Sequence, residues 1–153
     1  MTIHHIRAPR PDDREVFLDM WREFVDLAPD EPGDREMGAR NWSRLLIGNT
    51  GLNCILAVDD QDQPLGFTLY LAFPFTWSRG DVCYLQDIYV RAEQRGKGVA
   101  QAMIGRLAEI GRQSGWYKIF WMTQPDNFAA QRLYDKVTRR MDYIRYDVVV
   151  GEP

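Results

Sequence analysis

The sequence predicts a mixed α+β fold, with helices and strands packed around one sheet. Three observations carry that prediction. Apolar residues recur at helical spacing in four stretches. Around those stretches lie short apolar runs bounded by Gly, Pro, Asn and Asp, which is the signature of strands. No repeat, linker or low-complexity tract divides the 153 residues, so a single domain spanning 1–153 is expected, large enough to bury a core.

The elements follow in order. Residues 3–7 suit a short first strand, broken by Pro9 and Pro11. Pro11, Asp12 and Asp13 suit a helix start, with acids at the positive end of the dipole. Phe17, Met20, Trp21, Phe24 and Val25 then give one apolar stripe, ended near Pro29. Residues 26–36 are acidic and carry Pro29, Pro32 and Gly33, so a loop is predicted. A second helix is expected over 34–47, with Trp42, Leu45 and Leu46 facing inward and a stop at 48–51.

Strand signals come next. Residues 53–59 and 64–73 flank an acidic turn and predict a hairpin. After a turn at 74–80, residues 82–90 are apolar on both faces, which predicts a central strand. Residues 91–98 form a charged, glycine-bearing loop. Val99, Met103, Ile104, Leu107 and Ile110 mark a third helix, closed by Gly111 or Gly115. Residues 117–123 predict a further strand. Asn127 is placed to cap a fourth helix through Ala130, Leu133, Tyr134 and Val137. Residues 143–150 predict a last strand, completing the order β-α-α-β-β-β-α-β-α-β.

Composition narrows the function classes. A net charge of −3 argues against a duplex nucleic-acid binder, which needs a concentrated basic face. The two cysteines, Cys54 and Cys83, lie in apolar runs and make neither a disulfide framework nor a metal-ligand spacing. No apolar run approaches the roughly 20 residues of a membrane span, and the first residues lack a secretory pattern, so a cytoplasmic protein is expected.

The chemistry-bearing stretch runs from Tyr84 to Ala100. A buried strand leads into a loop with two glycines, which opens a helix. Gly96 and Gly98 permit a tight backbone turn and leave amides uncovered. The first amides of a helix have no internal partners, and its dipole adds positive charge there. Arg95 and Lys97 add full charges. The combination suits a diphosphate. Each amide or dipole contribution is worth only about 0.3–1 kcal/mol at an exposed site, so the array must act together. A nucleotide P-loop does not fit, because Gly98 follows Lys97 where Ser or Thr is needed. A dinucleotide fingerprint does not fit either, since Gln101 occupies its third glycine position. An ordinary helix start with a solvated loop remains the plain alternative.

The run Arg95-Gly96-Lys97-Gly98-Val99-Ala100 resembles the Arg/Gln-x-x-Gly-x-Gly/Ala signature of the GCN5-related N-acetyltransferase family. A second stretch, from Asn127 through Ala130 to Leu133 and Tyr134, resembles that family's Asn-x-x-Ala-x-x-Leu/Phe-Tyr helix. The strand from Leu85 to Val90 and the ending Tyr143-Ile144-Arg145-Tyr146 look like the branch acetylating polyamines, lysine-like side chains or basic peptides.

The resemblance implies a central, mostly antiparallel mixed sheet with helices on both faces. It also implies acetyl-CoA as co-substrate, with no metal, and direct transfer to a primary amine in a ternary complex. By the same resemblance, the backbone of Ile88, Tyr89 and Val90 pairs with the pantetheine arm. The amides of Arg95, Gly96, Lys97, Gly98, Val99, Ala100 and Gln101 hold the diphosphate. Asn127 contacts the arm, and Tyr134 protonates the departing thiolate. A phenol with a pKa near 10 is protonated at pH 7 and can donate. A homodimer is expected from relatives, helped by the apolar stretch 147–150.

A lysine-like amine with a pKa near 10.4 is neutral in only about one molecule in a few thousand at pH 7, so a base or a desolvating pocket is useful. Asp87 is the candidate to bind the ammonium or relay its proton; its alternative role is a structural carboxylate bonded to loop amides. Polyamine-acetylating relatives carry Glu where this chain has Gln86, which removes a charge from the amine site. Trp77, in the 74–80 turn, is a candidate substrate contact. Tyr134 is otherwise a core tyrosine and Asn127 a helix cap. The acids of 26–36 are either a solvated loop or a steering patch for a cation. A non-catalytic acyl-CoA-binding module on the same fold is the rival function.

Overall fold

A computed structural model describes residues 5–31 and 33–152 of the chain. These divide into two compact units at the Trp121–Met122 junction, each taken in turn.

The first unit is built on a five-stranded sheet in simple sequential order, β1 (His5–Arg7), β2 (Asn53–Val58), β3 (Pro64–Phe73), β4 (Val82–Val90) and β5 (Lys118–Phe120). The first four strands run antiparallel to their neighbours, and β5 lies parallel to β4. β4, apolar on both faces, has a strand on each side, as its sequence predicts.

Helices α1 (Arg14–Asp26) and α2 (Met37–Ile47) pack on one face of the sheet. That core joins Phe17, Leu18, Met20, Trp21 and Trp42 to Cys54, Leu56, Phe67, Leu69 and Tyr89. Phe17 is its centre, fully buried, with ring centroids 5.2 Å from Trp42 and 5.3 Å from Phe67. The opposite face carries α3 (Val99–Ser114), where Thr68 donates to the Met103 sulfur at 3.4 Å and Tyr70 meets Trp116 edge-on. Alternation along β3 therefore feeds two cores at once.

The first strand is held to its neighbours by charge. Arg7 contacts both carboxylate oxygens of buried Asp13, at 2.7 and 2.9 Å, and Asp62 in the β2–β3 turn at 2.7 Å. Burial opposes ionisation of Asp13, but the Arg7 fork and the Arg10 amide together hold its carboxyl below the usual range.

Several boundaries differ from expectation. The α1 region opens with one 3-10 turn, Pro11–Asp13, before the α-helix begins. The second helix starts at Met37 because Asp34 accepts from the Met37 amide at 2.9 Å and closes a turn ahead of it. Leu46, expected to face inward, is 57% exposed: α2 spends its buried stripe on Gly38 and Trp42. Gly115, with φ +72°, ends α3. Part of the expected first strand, Ile3 and His4, lies outside the described residues.

The second unit contains α4 (Phe128–Val137), whose N-terminus is capped by Asn127 accepting from the Ala130 amide at 3.2 Å. The expected last strand over 143–150 is not formed. Residues 139–150 form no helix and no paired strand among the described residues, and Tyr143, Ile144, Tyr146, Val148, Val149 and Val150 are at least 80% exposed. Strand propensity reports a fit to a neighbouring pleated surface, not an intrinsic backbone preference, so an apolar run alone does not make a strand.

Candidate active site

The geometry begins with a register shift in β4. Leu69 pairs with Asp87 while Tyr70 pairs with Leu85, so Gln86 is the extra residue of a bulge. Pairing with Leu71 and Leu69 puts Tyr84 and Asp87 on the α1/α2 face of the sheet, whereas Leu85 shares the α3 face with Tyr70. Gln86 itself is exposed.

β5 pairs with only the first three residues of β4, ending at Tyr84 opposite Phe120. Beyond that point β4 continues through Asp87, Ile88, Tyr89 and Val90 with β3 alone as its ladder partner among the described residues. A length of backbone edge is thus left open where an extended ligand can pair. Of its acceptors, the Val90 carbonyl already takes a bond from Arg95 Nε at 3.0 Å, which leaves it one further lone pair.

Asp87 is mostly removed from water, and burial pushes its carboxyl up to about 6. Among the described residues its carboxylate takes no hydrogen bond and no salt bridge, so the loop-amide role is not realised. On the same face of the sheet, the Tyr84 and Phe120 rings stack at 5.1 Å and Phe73 meets Phe120 edge-on. A carboxylate and aromatic rings on one face suit an ammonium group.

At the end of β4 the chain turns through Ala92–Gln94 and enters the glycine loop. Gly96 and Gly98 have φ +75° and +83°, left-handed values that other residues rarely adopt. A Cβ on either would meet nothing within 4 Å, so the loop borders open space. Gly98 is the N-cap of α3, and the first helical bond to it comes from the Ala102 amide at 2.9 Å. The amides of Gly96, Gly98, Val99, Ala100 and Gln101 make no backbone hydrogen bond among the described residues. Several donors and a helix N-terminus therefore share one loop, with the exposed side chains of Arg95 and Lys97 beside it. This fits the two phosphoryl groups of a coenzyme.

Asn127 and Tyr134 belong to the second unit, seven residues apart and so on one face of α4. Tyr134 is half-buried, and burial raises its phenol above the usual value, so it is a protonated donor at neutral pH. Trp77 is 88% exposed on its turn. Both thiols are buried and pushed up, Cys83 to about 12, the opposite of an activated nucleophile. Among the described residues no group of His, Cys, Asp and Glu is placed to hold a metal, and no helix is long and apolar enough to cross a membrane.

One contact escapes sequence reasoning. The Tyr89 hydroxyl donates to Glu23 of α1, and the Arg95 guanidinium lies over the Tyr89 ring, 5.7 Å from its centroid. Glu23 is 66 residues away in sequence from Tyr89, beyond any local spacing rule.

Comparison with known proteins gives the family and the fold. The family model described as "Acetyltransferase (GNAT) family" matches residues 14–138. A D-amino-acid N-acetyltransferase of Saccharomyces cerevisiae, HPA3, is 28% identical over 142 residues, covering 92% of this chain and 88% of that protein. A thialysine N-epsilon-acetyltransferase of Caenorhabditis elegans is 31% identical over 134 residues, covering 88% and 79%. Among solved structures, a probable acetyltransferase superposes with TM-score 0.84 at 20% identity, covering 97% and 99%. A ribosomal-protein-alanine N-acetyltransferase from Brucella melitensis biovar Abortus superposes with TM-score 0.78, also at 20% identity, covering 97% and 100%. These structures share the fold.

Proposed function

The chain belongs to the acetyltransferase (GNAT) family, and from that premise we propose that it transfers an acetyl group from acetyl-CoA to a primary amine. The observation that carries this reading is the amide array at Gly96 and Gly98 to Gln101, opening α3 after two left-handed glycines. The names of two relatives, a D-amino-acid and a thialysine acetyltransferase, support an amine acceptor of amino-acid or lysine-like size.

When bound, acetyl-CoA supplies the acetyl group as a thioester. The chain's own residues do the rest. The loop amides with Arg95 and Lys97 hold the diphosphate, and the open edge at Ile88 and Val90 pairs with the arm. Asp87 binds the ammonium and takes up its proton, directly or through water; a carboxyl near 6 accepts a proton more readily than an ordinary aspartate. The amine nitrogen then bonds to the acetyl carbon as the carbon–sulfur bond breaks, Tyr134 gives its proton to the departing sulfur, and the second proton that the nitrogen loses as the amide forms returns to the Tyr134 oxygen through water. Asn127 keeps the start of α4 in place through its cap.

A CoA-release assay across lysine analogues, amino acids, polyamines, aminoglycosides and basic peptides tests this reading. Turnover with at least one primary amine is expected. CoA binding with no turnover on any of them would leave a sensing module instead.

A further inference from the structure

We infer that Glu23 is a positioning residue for the coenzyme loop, acting from α1 through Tyr89 and Arg95. The inference rests on the diphosphate reading of the glycine loop given above.

Within the loop, Lys97 Nζ donates to Gln94 Oε1 at 3.2 Å, an exposed contact between two loop residues. Gly96 and Gly98 contribute no side chain, and neither the Ala92–Gln94 turn nor the start of α3 has a side-chain cap. At its start, the Arg91 amide bonds to the Leu65 carbonyl of β3 at 2.9 Å. Arg95 is where the glycine-bearing part is tied back to β4. Its Nε donates to the Val90 carbonyl and its guanidinium covers the Tyr89 ring.

The Tyr89 ring must therefore be held at one angle for Arg95 to rest on it. Core packing does part of this, since the ring is 4% exposed and lies 5.7 Å from Phe67 and 6.0 Å from Phe24. The hydroxyl fixes the rest by donating to Glu23. Burial first, then Glu23, pushes the phenol up to about 12, so it stays neutral and remains the donor. Donation to a carboxylate also draws electron density onto the ring, which strengthens its attraction for the Arg95 cation.

Glu23 also faces Arg91, with an N···O distance of 3.9 Å. That pair is long and partly exposed, so it contributes little on its own. The Tyr89 bond joins a hydroxyl to a carboxylate, is partly buried, and carries the coupling. α1 is anchored by Phe17, Leu18, Met20 and Trp21, so Glu23 gives the loop a fixed reference in the core.

The test uses the full chain. Glu23→Ala and Tyr89→Phe are each expected to raise KM for acetyl-CoA roughly five- to tenfold, with kcat and the amine KM within about twofold. The double variant should be no worse than either single one, since both remove the same link. Asp19→Asn, one turn earlier on the same helix, should leave all three constants unchanged. Loss of kcat together with melting temperature, or additive effects in the double variant, would reduce Glu23 to a structural role and overturn the inference. Calorimetric titration with CoA separates the two levels. Wild-type binding with unweakened variants removes only the positioning role, whereas no wild-type binding removes the diphosphate reading with it.

Discussion

Tyr84 and Asp87 lie three residues apart yet stand on the same face of the sheet, because Gln86 is the extra residue of the β4 bulge. In a regular strand an odd separation places side chains on opposite faces. The bulge thus puts the buried carboxylate on the face of α1 and the aromatic rings, where an amine can meet both.

That carboxylate sets the pH behaviour. Asp87 titrates near 6 in the folded chain and near 3.9 when unfolded. The folded state therefore holds the proton more tightly. The stability this gives is full below about pH 4 and is lost as pH rises through about 6. Asp87→Asn should flatten the stability curve between those values, measured by urea unfolding at a series of pH values. In kcat/KM, the limb that rises through pH 6 should disappear in the same variant. An unchanged limb would assign that titration to another group.

Tyr134→Phe should lower kcat by roughly 10²–10⁴, the usual worth of a general acid, with CoA affinity little changed. Single-turnover kinetics beside a CoA titration checks it. Full activity would remove the phenol from the chemistry.

Gly98→Ala meets no neighbour, so its cost is the left-handed backbone alone. A loss of about 1–2 kcal/mol of stability is expected, and less for Gly98→Asn, which tolerates that region better. Coenzyme affinity should fall along with it. Thermal melts and CoA titration of both variants read the two effects separately.

Phe17→Ala should cost about 3–5 kcal/mol, because the residue is fully buried against Trp42 and Phe67. Denaturant unfolding measures it. A loss below 1 kcal/mol would mean that the core closes over the gap.

Much of this was legible in the sequence. β3 and β4 begin and end where their apolar runs do, and Asn127 caps α4 as its position after a turn suggests. Gly96 and Gly98 announce the left-handed turn because few other residues adopt it. The bulge at Gln86 was not legible, since register depends on the facing strand and leaves no local mark. Nor was Glu23, which meets Tyr89 only through the packing of α1 on the sheet. The valines of 148–150 show the limit of propensity: they favour a strand, yet they form no ladder among the described residues and stay exposed.

The central claim is that the amides following Arg95 hold a diphosphate. Calorimetric titration with CoA and with pantetheine, which has the same thiol arm and no diphosphate, tests it most directly. CoA should bind at least a hundredfold more tightly, and Gly98→Ala should erode that advantage. Equal affinity for the two, or no binding of CoA at all, would contradict it.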